Sequence, residues 1–150
     1  MLSTSQANLA GTWYVGVGRA TRSSPGVLFI GTSNKSWGSI SLPRALDSMG
    51  APSCSHLVEP LLAFPGATNS GGGAGLGIPL PDDRRFDQVT LYAQHLVLDV
   101  FANSAGFVIS NGGSTTFGLV ARMMVAWSPV TATSASRVAQ SGTVSGFEYR

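Results

Sequence analysis

The stretch Gln88–Ser110, QVTLYAQHLVLDVFANSAGFVIS, constrains the fold more than any other part of the chain. It is the longest apolar run, and its β-branched, aromatic and Leu side chains suit a pleated, buried surface. Val89, Leu91 and Ala93 point one way, and Thr90, Tyr92 and Gln94 the other. Leu96, Val97, Leu98 and Val100 then carry apolar groups to both faces. A strand that starts half-buried and ends buried on both sides belongs in the middle of a packed sheet. Phe101–Gly106 supplies turn residues, Phe107–Ser110 a second strand, and Asn111-Gly112-Gly113 a stop. Strand, loop, strand and turn in that order are an antiparallel all-β signature.

The remaining segments agree. Trp13–Arg19 reads as a strand with Trp13, Val15 and Val17 on one face, and Val27–Ile30 as a buried strand. Trp37–Leu42 alternates briefly and is stopped by Pro43. Arg44–Gly50 is the only helix-like stretch, one turn ended by Gly50. His56–Phe64 is a strand interrupted by Pro60, which makes it an edge strand or a bulged one. Ala67–Gly75 is a flexible tip or loop, and Leu76–Leu80 leads into a Pro-framed turn. Thr115–Trp127 alternates without a break through Phe117, Leu119, Ala121, Met123 and Val125, and predicts one long strand.

These elements predict a single antiparallel β-sandwich of about eight strands, jelly-roll or Greek-key in arrangement. Residues 1–12 read as an N-terminal arm, 13–127 as the sandwich, and 128–150 as a connector followed by a strand or tail. A chain of 150 residues is one domain with a real core.

Only 11% of residues are charged, against roughly 25% in an ordinary soluble domain. A hydroxyl-rich, weakly charged surface favours an oligomer or lattice over a freely diffusing enzyme. The net charge of +2 and the scattered basic residues, almost all Arg, argue against nucleic acid. No run reaches the ~18–20 apolar residues of a membrane span. Met1–Ala10 has neither the charged nor the apolar region of a secretory leader. Cys54 is the single cysteine, so an internal disulfide is excluded, and it reads as a small packing residue.

The string LYAQHLVLD…FANSAGFVISNG resembles the closing motif of a β-sandwich module found in secreted and surface proteins of planctomycetes and related bacteria. LFIGTSN, SLPRALDSMGAPSCSHLVEP and GLGIPLPDD fit the same family in the same order, so the resemblance covers roughly residues 9–119. Its most specific parts are Tyr92-Ala93-Gln94 and Ser110-Asn111-Gly112. The resemblance implies a sandwich fold and an exported habitat, and it brings no catalytic residues. Together with the missing leader it implies either a mature domain cut from a precursor or export by another route, such as within a virus particle.

Few residues suggest chemistry. The loop Ser70–Gly77 has neither the Gly-Lys-Ser/Thr of a phosphate loop nor a dinucleotide fingerprint. Asp82, Asp83, Asp87 and Asp99 raise calcium, but their spacing matches no EF-hand and Arg84-Arg85 sits beside the pair, so a solvated turn with local Asp-to-backbone bonds is the reading preferred. Asp99 is expected to pair with an Arg or to cap the loop after it. His56, His95 and one Cys are a thin zinc inventory. No nucleophile elbow is present. The expectation is no catalytic residue, no metal and no cofactor.

Trp13 and Trp127 follow the inward alternation and read as core. Trp37, in a polar loop beside Asn34, is the best exposed aromatic, and these two residues form the candidate ligand site. The uncharged ends suggest strand addition to a neighbour. Arg137, Val138, Val144, Phe147 and Tyr149 form the candidate assembly interface. The function expected is therefore a non-catalytic structural or adhesive module on an extracellular or virion surface. Its partners are copies of itself, as a trimer or lattice, and a capsid or cell-surface protein. A carbohydrate- or receptor-binding module is the alternative, and a hydrolase comes third.

Overall fold

The computed structural model of the chain describes residues 1–4, 9, 11–118 and the strand 125–127. It is all-β and antiparallel, with two sheets facing one another across a common core. The smaller sheet has three strands, β1 (Leu2–Thr4), β2 (Thr12–Val17) and β9 (Ala74–Pro79), in the order β1-β2-β9. The larger contains β3 (Pro25–Gly31), β8 (Leu62–Ala67), β10 (Thr90–Leu98), β11 (Phe107–Ile109), β12 (Gly112–Thr116) and β13 (Val125–Trp127). Its order is β13-β12-β10-β3-β8, with β11 also paired to β10. Four short strands make two ribbons between β3 and β8. β4 (Ser36–Trp37) pairs with β5 (Ile40–Ser41), and β6 (Arg44–Ala45) with β7 (Ser55–His56).

Alternation builds the core. Trp13, Val15 and Val17 of β2 are buried, and Tyr14 between them is exposed. Leu2, Leu28, Ile30, Ala93 and Phe117 meet Trp13 and Val15 from the other strands, so one cluster joins the two sheets. The rings of Trp13 and Phe117 meet edge to face, with centroids 6.0 Å apart. Each large side chain removed from water here contributes roughly 1.5–3 kcal/mol.

The outer face of the larger sheet is covered as well. The excursion from 32 to 61, which carries both ribbons, lies against it: the Phe29 and His56 rings meet edge to face, and the Glu59 carbonyl sits against Gly31. β10 therefore runs through the middle of the sheet with both faces covered, as expected, and Ala93 and Gln94 are fully buried. The covered part is the strand's middle, not its end. Leu98, expected to be buried, is 45% exposed, and Val100 lies outside, because the excursion does not reach that far.

Three further expectations change. Thr115–Trp127 is not one strand: Gly112–Ser114 pair antiparallel with Val125–Trp127, so the chain reverses direction between them. Period-two alternation is silent about such a reversal. The inward positions expected at Leu119, Ala121 and Met123 lie outside the described residues. Gly112 and Gly113 begin β12 instead of stopping a strand, and Trp37–Leu42 is a hairpin turning at Gly38-Ser39. Leu2–Thr4, within the segment expected as an arm, pairs with Val15–Val17 and places Leu2 in the core. The single helical turn is present as a 3-10 turn over Asp47–Met49, with Gly50 left-handed at its end.

Candidate interaction surfaces

The sheets differ in width, and their mismatch creates the main feature of the surface. A three-stranded sheet cannot cover the inner face of a six-stranded one. Among the described residues the uncovered part is β8, at one edge, whose inward positions are Leu62, Phe64 and Gly66, opposite Ile30, Leu28 and Gly26. Leu62 is 52% exposed although its partner Ile30 is core. Between β8 and β9 lies a half-open cleft of about 100 Å³, lined by Val15, Leu28, Phe64, Gly66, Leu76 and His95, among others. Gly66 lines it, and Gly26 leaves room for the His95 ring that also lines it. His95 lies across Gly26, where a Cβ would come within 3.1 Å of its ring. A Cβ at Gly66 would meet no atom within 4 Å, so the missing side chain leaves open space.

β8 and β9 are also sheet edges, with no neighbour on their outer sides among the described residues. Their ladders fix which backbone groups face outward. Leu80 N donates to Gly11 O, and alternation from that pair turns the amides of Gly75 and Gly77 away from β2. Thr68 N donates to Ser24 O, which by the same alternation turns Ala63, Pro65 and Ala67 away from β3. The strand expected over His56–Phe64 is not one strand: β7 ends at His56, Pro60 lies between strands, and the edge strand β8 begins at Leu62, with Pro65 standing where a donor would face outward. Proline at that position blunts the edge. β9 offers two donors without a partner among the described residues before its own proline, Pro79.

The two motifs behind the family resemblance meet at the centre of the sheet. The register along β10 shifts by one residue between Leu96↔Ile109 and Ala93↔Gly113, so Ser110-Asn111 forms a β-bulge. Gln94 reaches across it. Its Nε2 donates to Ser110 O at 2.8 Å and to Ser55 O at 2.9 Å, and its Oε1 accepts from Leu57 N at 2.8 Å. Asn111, displaced by the bulge, accepts from Leu2 N at 2.8 Å and so ties the two sheets together. Gln94 clamps the excursion to the sheet, and the excursion carries the exposed aromatic.

Trp37 is 43% exposed at the start of its hairpin. Its ring tilts against His56 at 5.7 Å, and His56 in turn meets Phe29. Burial and then the nearby Arg44 cation hold His56 below the usual imidazole range, and its Nε2 is buried without a partner. Asn34 is half-buried in the loop before Trp37. A neutral, aromatic-backed indole with one face in solvent is a stacking surface for an apolar or sugar ring.

The β10–β11 turn is a second exposed apolar feature, and sequence reasoning missed it. Phe101 is 95% exposed and Val100 71%. The turn is nevertheless tied down: Asp99 Oδ1 accepts from Phe101 N, Asp99 Oδ2 from the Thr21 hydroxyl, and Asn103 Nδ2 donates to Phe107 O. Asp99 thus caps its loop, and the Thr21 hydroxyl followed by the Phe101 amide holds its carboxyl below the usual range.

The remaining candidates behave as local structure. Asp83 accepts from Arg85 at 2.6 Å at the surface. Among the described residues no three His, Cys, Asp or Glu side chains gather where a metal would sit. His95 Nδ1 stands 3.2 Å from Leu96 O, and burial lowers its affinity for a proton. Cys54 is free and half-buried. No helix among the described residues is long and apolar enough to cross a membrane. The proposed assembly residues Arg137, Val138, Val144, Phe147 and Tyr149 lie outside the described residues. No protein-family model, curated protein or solved structure matches the chain.

Proposed function

We infer that the protein is a non-catalytic structural or adhesive module that assembles with copies of itself on an extracellular or virion surface. One observation carries the reading: among the described residues the inner face of β8 is open beside a β9 edge that has no neighbouring strand. Exposed apolar faces next to an open edge are expensive for a solitary protein and mark contact surfaces. The low charge density supports the same reading, since few charges need desolvating when copies meet. The resemblance to planctomycete surface modules is consistent with this habitat. A capsid or cell-surface protein is the larger surface on which such copies would sit. Light scattering on the full chain tests the reading: mass should rise with concentration to a defined multiple of the monomer. A strictly monomeric protein at millimolar concentration would contradict it.

A second reading rests on Trp37. Its half-open indole, backed by His56, suits carbohydrate stacking, and Asn34, three residues earlier in the same loop, is the candidate to hydrogen-bond a hydroxyl. A glycan array probed with wild-type protein and with Trp37→Ala separates the readings. Binding lost in the variant supports a glycan site, and no binding by the wild type removes it.

A further inference from the structure

We propose that the β9 edge and the inner face of β8 form an acceptor for one extended strand, supplied by the C-terminal segment of a second copy. The proposal rests on the self-assembly reading above and names its contact. A strand laid outside β9 would become the fourth of the smaller sheet, and its inward side chains would cover Leu62, Phe64 and Gly66.

The two free edges on this side are not equivalent. Pro65 stands in the middle of β8 at an outward position and interrupts any ladder there. On β9 the outward donors of Gly75 and Gly77 are spaced two residues apart, the spacing that a partner strand requires. Pro79 comes only at the strand's end. Gly75 and Gly77 have no side chains to hinder an incoming backbone. The acceptor is therefore β9, and β8 contributes only its face.

The occupant follows from what lies beyond the last described strand. The chain continues from β13 through residues 128–150, which is more than a strand needs. Near its end, Phe147 and Tyr149 fall on one face of an extended chain, with Gly146 and Glu148 on the other. A ring at Phe147 suits the space that Gly66 leaves: the cleft is about 100 Å³, close in scale to cavities of ~150 Å³ that accept benzene. Charge agrees too. The cleft is lined by uncharged groups, His95 included because burial keeps it neutral, and the segment's charges are only Arg137, Glu148 and Arg150. A second copy, not the same chain, is the donor. The self-assembly reading requires a contact between copies, and among the described residues Leu62 on this face is left largely open.

The test uses full-length variants, each checked for native circular dichroism and thermal midpoint. Gly66→Leu fills the cleft from within, and Leu62→Glu puts a charge on the same face should Gly66→Leu fold poorly. Phe147→Asp disables the donor. The wild type should associate, and each variant alone should run at monomer mass. An equimolar mixture of Gly66→Leu and Phe147→Asp should associate again, because one keeps its donor and the other its acceptor. A mixture that stays monomeric overturns the proposal. Variants that associate as the wild type does overturn it while leaving self-assembly standing. A monomeric wild type overturns both. If Phe101→Asp dissociates the protein while Gly66→Leu does not, the contact is the β10–β11 turn, and the acceptor assignment fails.

Discussion

Replacing Gln94 with Leu should loosen the whole excursion, since Gln94 is the residue that fastens it. Leu has nearly the volume of Gln, so packing changes little and the effect isolates hydrogen bonding. Three partners lose their bonds: Leu57 N, Ser55 O and Ser110 O. A buried group left without a partner costs about 1–3 kcal/mol. Leu57 is buried and bears the full cost, whereas Ser55 and Ser110 are half-exposed and water can repay part of theirs. The expected loss is about 2–5 kcal/mol, a large share of the 5–15 kcal/mol that holds a typical domain together. Urea unfolding should show the midpoint falling with an unchanged slope. Gln94→Glu should do at least as much harm at neutral pH, because it keeps the acceptor but turns a carboxylate on two carbonyls. That harm should ease on acidification, when a protonated Glu regains one donor. Amide exchange at Leu57 should quicken in both variants. A loss below about 0.5 kcal/mol for Gln94→Leu, the size of an ordinary surface effect, would refute the clamp.

Two other outcomes are expected. Leu98→Ala should cost no more than about 0.5 kcal/mol, because the side chain is already half in water, whereas Leu28→Ala should cost about 2–5 kcal/mol by urea unfolding. Stability should fall on acidification: His56 and His95 are both held below the ordinary imidazole value by burial, so the unfolded chain binds protons first. Their contribution is complete above about pH 6.5. It is lost as pH falls from there through the lower folded values, and His95→Gln should flatten the thermal-melting profile across that window.

Much of the framework was legible because it depends on local alternation. Trp13, Val15 and Val17 show their face in the sequence, as does the central placement of β10. The strand expected over His56–Phe64 is broken, with Pro60 between β7 and β8, and it is Pro65, within β8, that stands outward as an edge proline does. What stayed hidden depends on partners far along the chain. Leu98 is as apolar as Val97, but Val97 faces the core between the sheets while Leu98 is on the outer face, beyond the reach of the excursion. Thr115–Trp127 alternates across a reversal of direction, which period alone cannot reveal. The role of Gln94 was invisible, since Ser55 and Leu57 come to it from 37 and more residues away. The open face of β8 arises from the unequal widths of the two sheets, a property of topology that no single segment carries. Trp37 was expected to be exposed from its polar flanks, and it is, but its backing by His56 was not foreseen.

Hydrogen exchange at β9, followed as a function of protein concentration, tests the assembly account most directly. Gly75 and Gly77 carry amides that point away from β2 and have no acceptor among the described residues. In dilute solution they should exchange quickly, while Leu76 and Ile78, turned toward β2, are protected. As concentration rises into the range where mass increases, Gly75 and Gly77 should become protected in step with it, and the Leu62–Gly66 face should lose its exposure. Association that leaves Gly75 and Gly77 exchanging as fast as in the monomer would contradict the account.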